Sequence, residues 1–308
     1  MRANATTGNA LRLELGEGPV WDADRGEVLW VDSEAGLVLR GDLDGDALVV
    51  LDSRDWGESV GSVTPARDGG MLVAGEHHVH VVDASGRVDE SIRILPEGQR
   101  SRLNDGSVDP AGRFLVGSVR LDDRVGMECL WSVSADRVVR RVVDGITVSN
   151  GLGFSPDGST MYYVETRPGT ILAFDYDVDT GEATGRREVL ACGGTPDGLA
   201  VDTESCLWVA FFGEGQVRRI SPRGQVLEVI EVDAPNVTCP EFVGPYLDRL
   251  LITTARYRMS AEHLRTSPLA GAVFIADASV PGLPVGSWGG ATGGRGEEHA
   301  AGKVEGTP

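Results

Sequence analysis

Asn150-Gly151-Leu152-Gly153-Phe154-Ser155, followed by Pro156-Asp157-Gly158 and the apolar run Met161-Tyr162-Tyr163-Val164, is one copy of a phrase that this chain repeats six times. Three other clear copies are Glu17-Gly18-Pro19-Val20-Trp21-Asp22, Asn104-Asp105-Gly106-Ser107-Val108-Asp109 and Asp197-Gly198-Leu199-Ala200-Val201-Asp202. In each, a polar residue stands five positions before an Asp or Ser, and a turn and an apolar run follow. Weaker copies begin at Gly61 and Thr238. The six heads, Glu17, Gly61, Asn104, Asn150, Asp197 and Thr238, lie 44, 43, 46, 47 and 41 residues apart. A period of this length marks an array of like supersecondary units.

Each unit reads as β structure. Phe114-Leu115-Val116-Gly117, Met161-Tyr162-Tyr163-Val164 and Leu207-Trp208-Val209-Ala210 are short runs of β-formers, each preceded by a Gly or Ser turn. Second hairpins follow, such as Thr170 to Asp175 and Gln216 to Ile220, with turn chemistry at Asp179-Thr180-Gly181-Glu182 and Ser221-Pro222-Arg223-Gly224. About 44 residues hold four strands of about five to six residues plus tight turns. The only helical turn expected is Ser260-Ala261-Glu262-His263-Leu264, with Ser260 as its cap. Six such units predict an all-β, six-bladed propeller with four antiparallel strands per blade, over residues 1–285. Ala272-Val273-Phe274-Ile275-Ala276 is expected to close the ring by completing the first blade, beside Leu11 to Leu15. Residues 286–308, rich in Gly, Glu and Ala, read as a disordered tail.

Bulk properties exclude several function classes. A net charge of -19 opposes binding to nucleic acid phosphates or to an anionic membrane surface. No stretch approaches the roughly 18 apolar residues of a membrane span. Cys129, Cys192, Cys206 and Cys239 are widely spaced, which argues against a zinc knuckle or a disulfide framework and for a reducing, cytoplasmic setting. Met1-Arg2-Ala3-Asn4-Ala5 opens no apolar run of signal-peptide length. The 42 glycines form no phosphate loop, and no Ser sits in a nucleophile elbow. His77, His78 and His80 read as an outer, solvated strand in preference to a zinc site. No oligomeric state is read from the sequence.

In a propeller the innermost strands surround a central channel, so equivalent residues face one another across it. Glu17, Asn104, Asn150 and Asp197 would meet there. Two carboxylates match the charge of a divalent cation, and the amides add neutral oxygens. Such a set favours Ca²⁺, Mg²⁺ or Mn²⁺ over Zn²⁺, which also accepts carboxylates. Few protein ligands leave positions open for water and substrate, as a catalytic metal requires, although a structural ion would use the same donors. Arg102, two residues before Asn104, shares its strand face and could donate to a hydroxylated ligand; its alternative is a surface ion pair.

Taken together, Leu15-Gly16-Glu17-Gly18-Pro19-Val20-Trp21, Arg102-Leu103-Asn104-Asp105-Gly106, Ser149-Asn150-Gly151-Leu152, Pro196-Asp197-Gly198-Leu199 and Thr253-Thr254-Ala255-Arg256 resemble the gluconolactonase and senescence-marker-protein (regucalcin) family, from about Leu11 to Ile275. The resemblance implies a six-bladed propeller that hydrolyses sugar lactones with one divalent metal ion (Ca, Zn, Mn or Mg). It implies Glu17, Asn150 and Asp197 as metal ligands, Arg102 and Asn104 as substrate contacts, and Asp197 as ligand and general base. Where relatives carry a sugar-contacting Glu, this chain has Asp122, with Arg120 an unfamiliar neighbour. The expected partner is a small-molecule sugar lactone. A non-catalytic calcium-binding regulator, a hydrolase of another ester or phosphotriester, and an interaction scaffold are the competing readings.

Overall fold

The apolar runs form strands that are covered on both faces. In Leu207–Phe211, Trp208 and Ala210 pack with Val237, Phe242 and Phe274, while Leu207, Val209 and Phe211 pack with Tyr162, Val164 and Ile171. A strand with a neighbouring sheet on each side is apolar at successive positions, not at alternate ones. The computed structural model describes residues 4–5, 11–122 and 124–290. These form six four-stranded antiparallel sheets, the blades of a propeller. Six apolar clusters fill the six gaps between neighbouring blades.

The innermost strands are Gly16–Asp22, Ser62–Pro65, Ser101–Val108, Ser149–Phe154, Pro196–Val201 and Val237–Val243, so five of the six repeat heads lie on them and Gly61 immediately precedes the second. Each touches the next, and the sixth touches the first, so the ring is closed. The last residue of the phrase closes the turn to the second strand. Asp109 Oδ1 accepts from the Ala111 and Arg113 amides at 3.0 and 2.8 Å, and Asp202 Oδ1 accepts from those of Glu204 and Cys206 at 2.9 Å each.

Closure differs from the expected arrangement. The first blade is complete in itself, and Phe274–Asp277 is the third strand of the sixth blade, beside Arg249–Thr254. The N-terminal strand Asn4–Ala5 supplies that blade's outermost strand. An early and a late strand are thus paired in the last blade, with Asn4–Ala5 outermost. Leu13 still joins the apolar cluster between the sixth and first blades.

Of the residues expected to form a disordered tail, 286–290 lie against the ring. Trp288 is fully buried between the second and third blades, and its Nε1 donates to the Val133 carbonyl at 3.2 Å. Its amide donates to the Pro65 carbonyl at 2.9 Å. One indole carries enough apolar surface to anchor a glycine-rich stretch. Residues 291–308 lie outside the described residues. The helix is Ala261–Thr266, and Ser260 caps it as expected. No described helix is long and apolar enough to cross a membrane. The four cysteines are free.

Candidate active site

The heads of the repeats are displaced from regular pairing. Register shifts fall between Glu17 and Val20, Leu103 and Gly106, Ser149 and Leu152, and Pro196 and Leu199. A bulge re-aims a side chain that would otherwise stand in the ladder. The glycines that follow Asn150 and Asp197 have a steric reason. A Cβ on Gly151 would lie 2.5 Å from the Leu199 nitrogen, and one on Gly198 would lie 2.7 Å from the Cys239 Cα. Neighbouring innermost strands therefore approach at these glycines, which brings the heads together. Gly198→Ala must push two blades apart and is expected to cost about 1–3 kcal/mol. An unchanged melting midpoint would show that this approach is not needed.

Glu17, Asn104, Asn150 and Asp197, from four blades, line one cavity of about 420 Å³ with Arg102 and Asp122. That volume lies within the range of about 300–1,000 Å³ usual for small-molecule sites. The two other heads serve the frame. Thr238 Oγ1 donates to the Gly16 carbonyl at 2.6 Å, tying the sixth blade to the first. A Cβ at Gly61 would meet the Asn104 carbonyl at 2.4 Å.

A hydrogen-bonded chain fixes the amides. Arg102 Nη1 donates to Asn104 Oδ1 at 2.7 Å, Asn104 Nδ2 donates to Asn150 Oδ1 at 2.7 Å, and Asn150 Nδ2 donates to Thr166 Oγ1 at 2.6 Å. Thr166 then donates to the Pro196 carbonyl at 2.8 Å, beside Asp197. Asn150 Oδ1 keeps its second lone pair for another partner. Arg102 is half-buried, and its Nη2 stands 4.0 Å from Glu34 Oε1. Burial pulls its pKa down, while Glu34 and Glu17 act to hold it charged.

The carboxyls are held against their charge. Burial, then Asp197 and Asp105, push the Glu17 pKa well above its usual value. Burial, then Asp105, do the same to Asp197, opposed by Arg102. Among the described residues no donor hydrogen-bonds the Asp197 carboxyl. Sequence reading passes over Asp105, which shares the bulge with Asn104. Burial pushes its pKa to about 6, against a bond from the Gly106 amide. Adjacent polar residues at a repeat head were the available signal for it.

These buried acids, with Arg102 as nearby cation, are a donor set that a divalent ion would satisfy. Glu17, Asp197 and the Asn150 amide oxygen are all-oxygen donors suited to a hard cation. Among the described residues no group of three or more His, Cys, Asp or Glu side chains is placed to hold a metal. The expected set needs only two of those types.

Other candidates are already engaged. Asp122 reaches the cavity wall, but its oxygens accept from Arg120 at 2.6 and 2.7 Å and from Arg124 at 3.2 and 2.9 Å. Arg120, then Arg124, hold its pKa below the usual carboxylate range. The His80 ring nitrogens meet Ser91 Oγ at 2.8 Å and Glu58 Oε1 at 3.0 Å, which leaves neither open to zinc.

At the other end of the channel Glu241 is buried, and its pKa is pushed up to about 8, chiefly by burial. The fold retains a proton there that the unfolded chain releases above the usual Glu value of 4.5. Stability from this group therefore falls as pH rises from about 4.5 towards 8. Glu241→Gln escapes this loss, so its melting midpoint should gain on the parent's between pH 5 and pH 8. Parallel pH curves for the two proteins would contradict this assignment.

Residues 15–256 match the family described as SMP-30/gluconolactonase/LRE-like region. The chain is 37% identical over 282 residues to a 6-deoxy-6-sulfogluconolactonase of Pseudomonas putida, covering 87% of this chain and 92% of that protein. It is 35% identical over 278 residues to regucalcin of Danio rerio, covering 88% and 93%. Among solved structures it is similar to a calcium-binding protein, regucalcin, from Agrobacterium tumefaciens, with a TM-score of 0.86 and 25% identity over 93% of this chain and 97% of that one. The chain therefore belongs to the SMP-30/gluconolactonase/LRE-like family.

Proposed function

We propose that this protein hydrolyses a sugar lactone with the help of one divalent metal ion, held by Glu17, Asn150 and Asp197. The observation that carries this reading is the convergence of the half-buried Glu17 and buried Asp197 carboxyls, from the first and fifth blades, on the amides of Asn104 and Asn150 in one cavity. The relative named as a 6-deoxy-6-sulfogluconolactonase supports it.

A lactone is a cyclic ester, so its hydrolysis needs an activated water and a stabilised oxyanion. A bound divalent ion supplies Lewis acidity for both. Asp197 serves as general base, its carboxylate taking the proton of the attacking water. The Arg102–Asn104–Asn150–Thr166 chain holds the amides in one orientation before substrate arrives, and such positioning contributes to rate. Arg102 keeps further N–H donors for sugar hydroxyls. Asp122 is a substrate contact only through the oxygen capacity that Arg120 and Arg124 leave it. The free cysteines suit a reducing compartment, and we assign the protein to the cytoplasm.

The test uses metal-stripped protein and a panel of aldonolactones, with Ca²⁺, Mg²⁺, Mn²⁺ or Zn²⁺ returned singly and acid release followed. Turnover restored by at least one ion is expected. Acid release at the spontaneous rate with all four would leave the competing reading, a calcium-binding protein without catalysis.

A further inference from the structure

The cavity that holds the candidate site is far more basic than the chain around it. Across the whole sequence acids outnumber bases, 47 to 28. Along this one cavity the balance reverses: Arg102, Arg120, Arg124, Arg167 and Arg258 line it, against Glu17, Glu34, Asp122 and Asp197. The arginines arrive from separate parts of the chain. Arg102 and Arg120 stand on strands of the third blade, Arg124 follows in the next loop, Arg167 sits on the turn between Thr160–Glu165 and Thr170–Tyr176, and Arg258 lies beyond Arg249–Thr254. Their meeting around one cavity is a product of the fold.

Three of the five are matched. Asp122 accepts from both Arg120 and Arg124, Glu128 lies 3.5 Å from Arg120, and Arg102 faces Glu34 and Asn104. Arg167 and Arg258 have no ion-pair partner among the described residues. Both are exposed. The Arg258 guanidinium is poised over the Tyr257 ring at 4.9 Å, and Tyr257 also lines the cavity. Of the four acids, Glu17 and Asp197 are the ones assigned to the metal ion, and Glu34 and Asp122 are already opposite arginines. The charged groups left without a partner along the cavity are Arg167 and Arg258.

A neutral sugar has no use for two unpaired guanidinium groups at its site. Arginine forks match carboxylate, sulfonate and phosphate groups, with two parallel N–H···O bonds each. We infer that the substrate is an anionic lactone, whose ring carbonyl faces Asp197 and whose second, permanently charged group is received by Arg167 and Arg258. This rests on the lactonase reading and narrows it to a substrate class. Such a lactone arises by oxidation of the anomeric carbon of an acidic or phosphorylated sugar, so a sugar dehydrogenase must supply it.

The experiment compares gluconolactone with 6-phosphogluconolactone, 6-deoxy-6-sulfogluconolactone and glucarolactone on the metal-loaded protein, and repeats the comparison with R167Q/R258Q. The expected result is that kcat/KM for at least one charged lactone exceeds that for gluconolactone at least about tenfold, in line with charge-assisted hydrogen bonding. Added NaCl should lower the ratio, and in the double variant it should fall towards one. The three charged arms distinguish phosphate, sulfonate and carboxylate. Gluconolactone turned over as well as every charged lactone would overturn the inference and leave the lactonase reading standing. Should no lactone turn over, the lactonase reading fails, and dissociation constants for 6-phosphogluconate and gluconate decide the rest. Tighter binding of the phosphorylated acid, lost in the double variant, supports the anion seat; equal constants overturn it. Circular dichroism of the double variant guards against misfolding, since both side chains are exposed.

Discussion

Asp197→Asn is expected to lower kcat for lactone hydrolysis by about 10³-fold, the middle of the range for loss of a general base. The substitution keeps the shape of the side chain and one of its oxygens, so the first effect is chemical. Asp197 also carries a charge that burial and Asp105 disfavour. In the metal-free protein its folded-state pKa lies above the unfolded value, so it costs stability as pH rises above the ordinary carboxyl range. The Asn variant escapes that cost. It should melt no lower than the parent at pH 8 when metal is absent, while losing turnover when metal is present. A variant with unchanged kcat would remove Asp197 from the mechanism. One that melts well below the parent without metal would make it a structural residue.

The second large effect is thermal. A divalent ion at about 1,000 times its dissociation constant adds about 4 kcal/mol to a protein that binds it only when folded. For a propeller of this size the melting midpoint should rise by roughly 10 °C. The rise should be greater at pH 8 than at pH 5. At low pH the ion must displace protons that Glu17 and Asp197 hold with raised affinity, so protons are released on binding. Calorimetric titration in buffers of different ionisation enthalpy measures that release. Glu17→Gln combined with Asp197→Asn should abolish both the thermal rise and the proton release. A rise of the same size in that double variant would place the ion elsewhere.

The repeat explains why so much of the architecture was legible in sequence. Four strands per unit follow from unit length and turn spacing, and the continuous apolar runs follow from burial on both faces, as Trp208 and Val209 show by facing opposite blades. Closure was not legible, because strands such as Phe274–Asp277 carry the same residue types wherever they pair. Two residues, Asn4–Ala5, are too short to carry a pattern at all. Trp288 was hidden by its glycine-rich surroundings, whose average composition outweighs one indole.

The candidate site divides in the same way. Glu17, Asn104, Asn150 and Asp197 stood out because they share a register in the repeat, and the bulges that turn them inward share it too. Asp105 sits one position off that register and was missed. Asp122 was chosen by its place in the chain, yet its partners Arg120 and Arg124 belong to the same short segment, and spacing alone gives no sign of such pairing. The two unpaired arginines, Arg167 and Arg258, lie outside the repeated phrase, on loops that only the folded ring brings to one cavity.

In the proposed site, oxygen donors from separate blades share a single cation. Diffraction from crystals soaked with Mn²⁺, recorded with anomalous signal, tests this most directly. The predicted result is one strong peak within coordination distance of Glu17, Asn150 and Asp197 and open towards the cavity. A fully loaded crystal with no peak there, or with its peak on other residues, would contradict it.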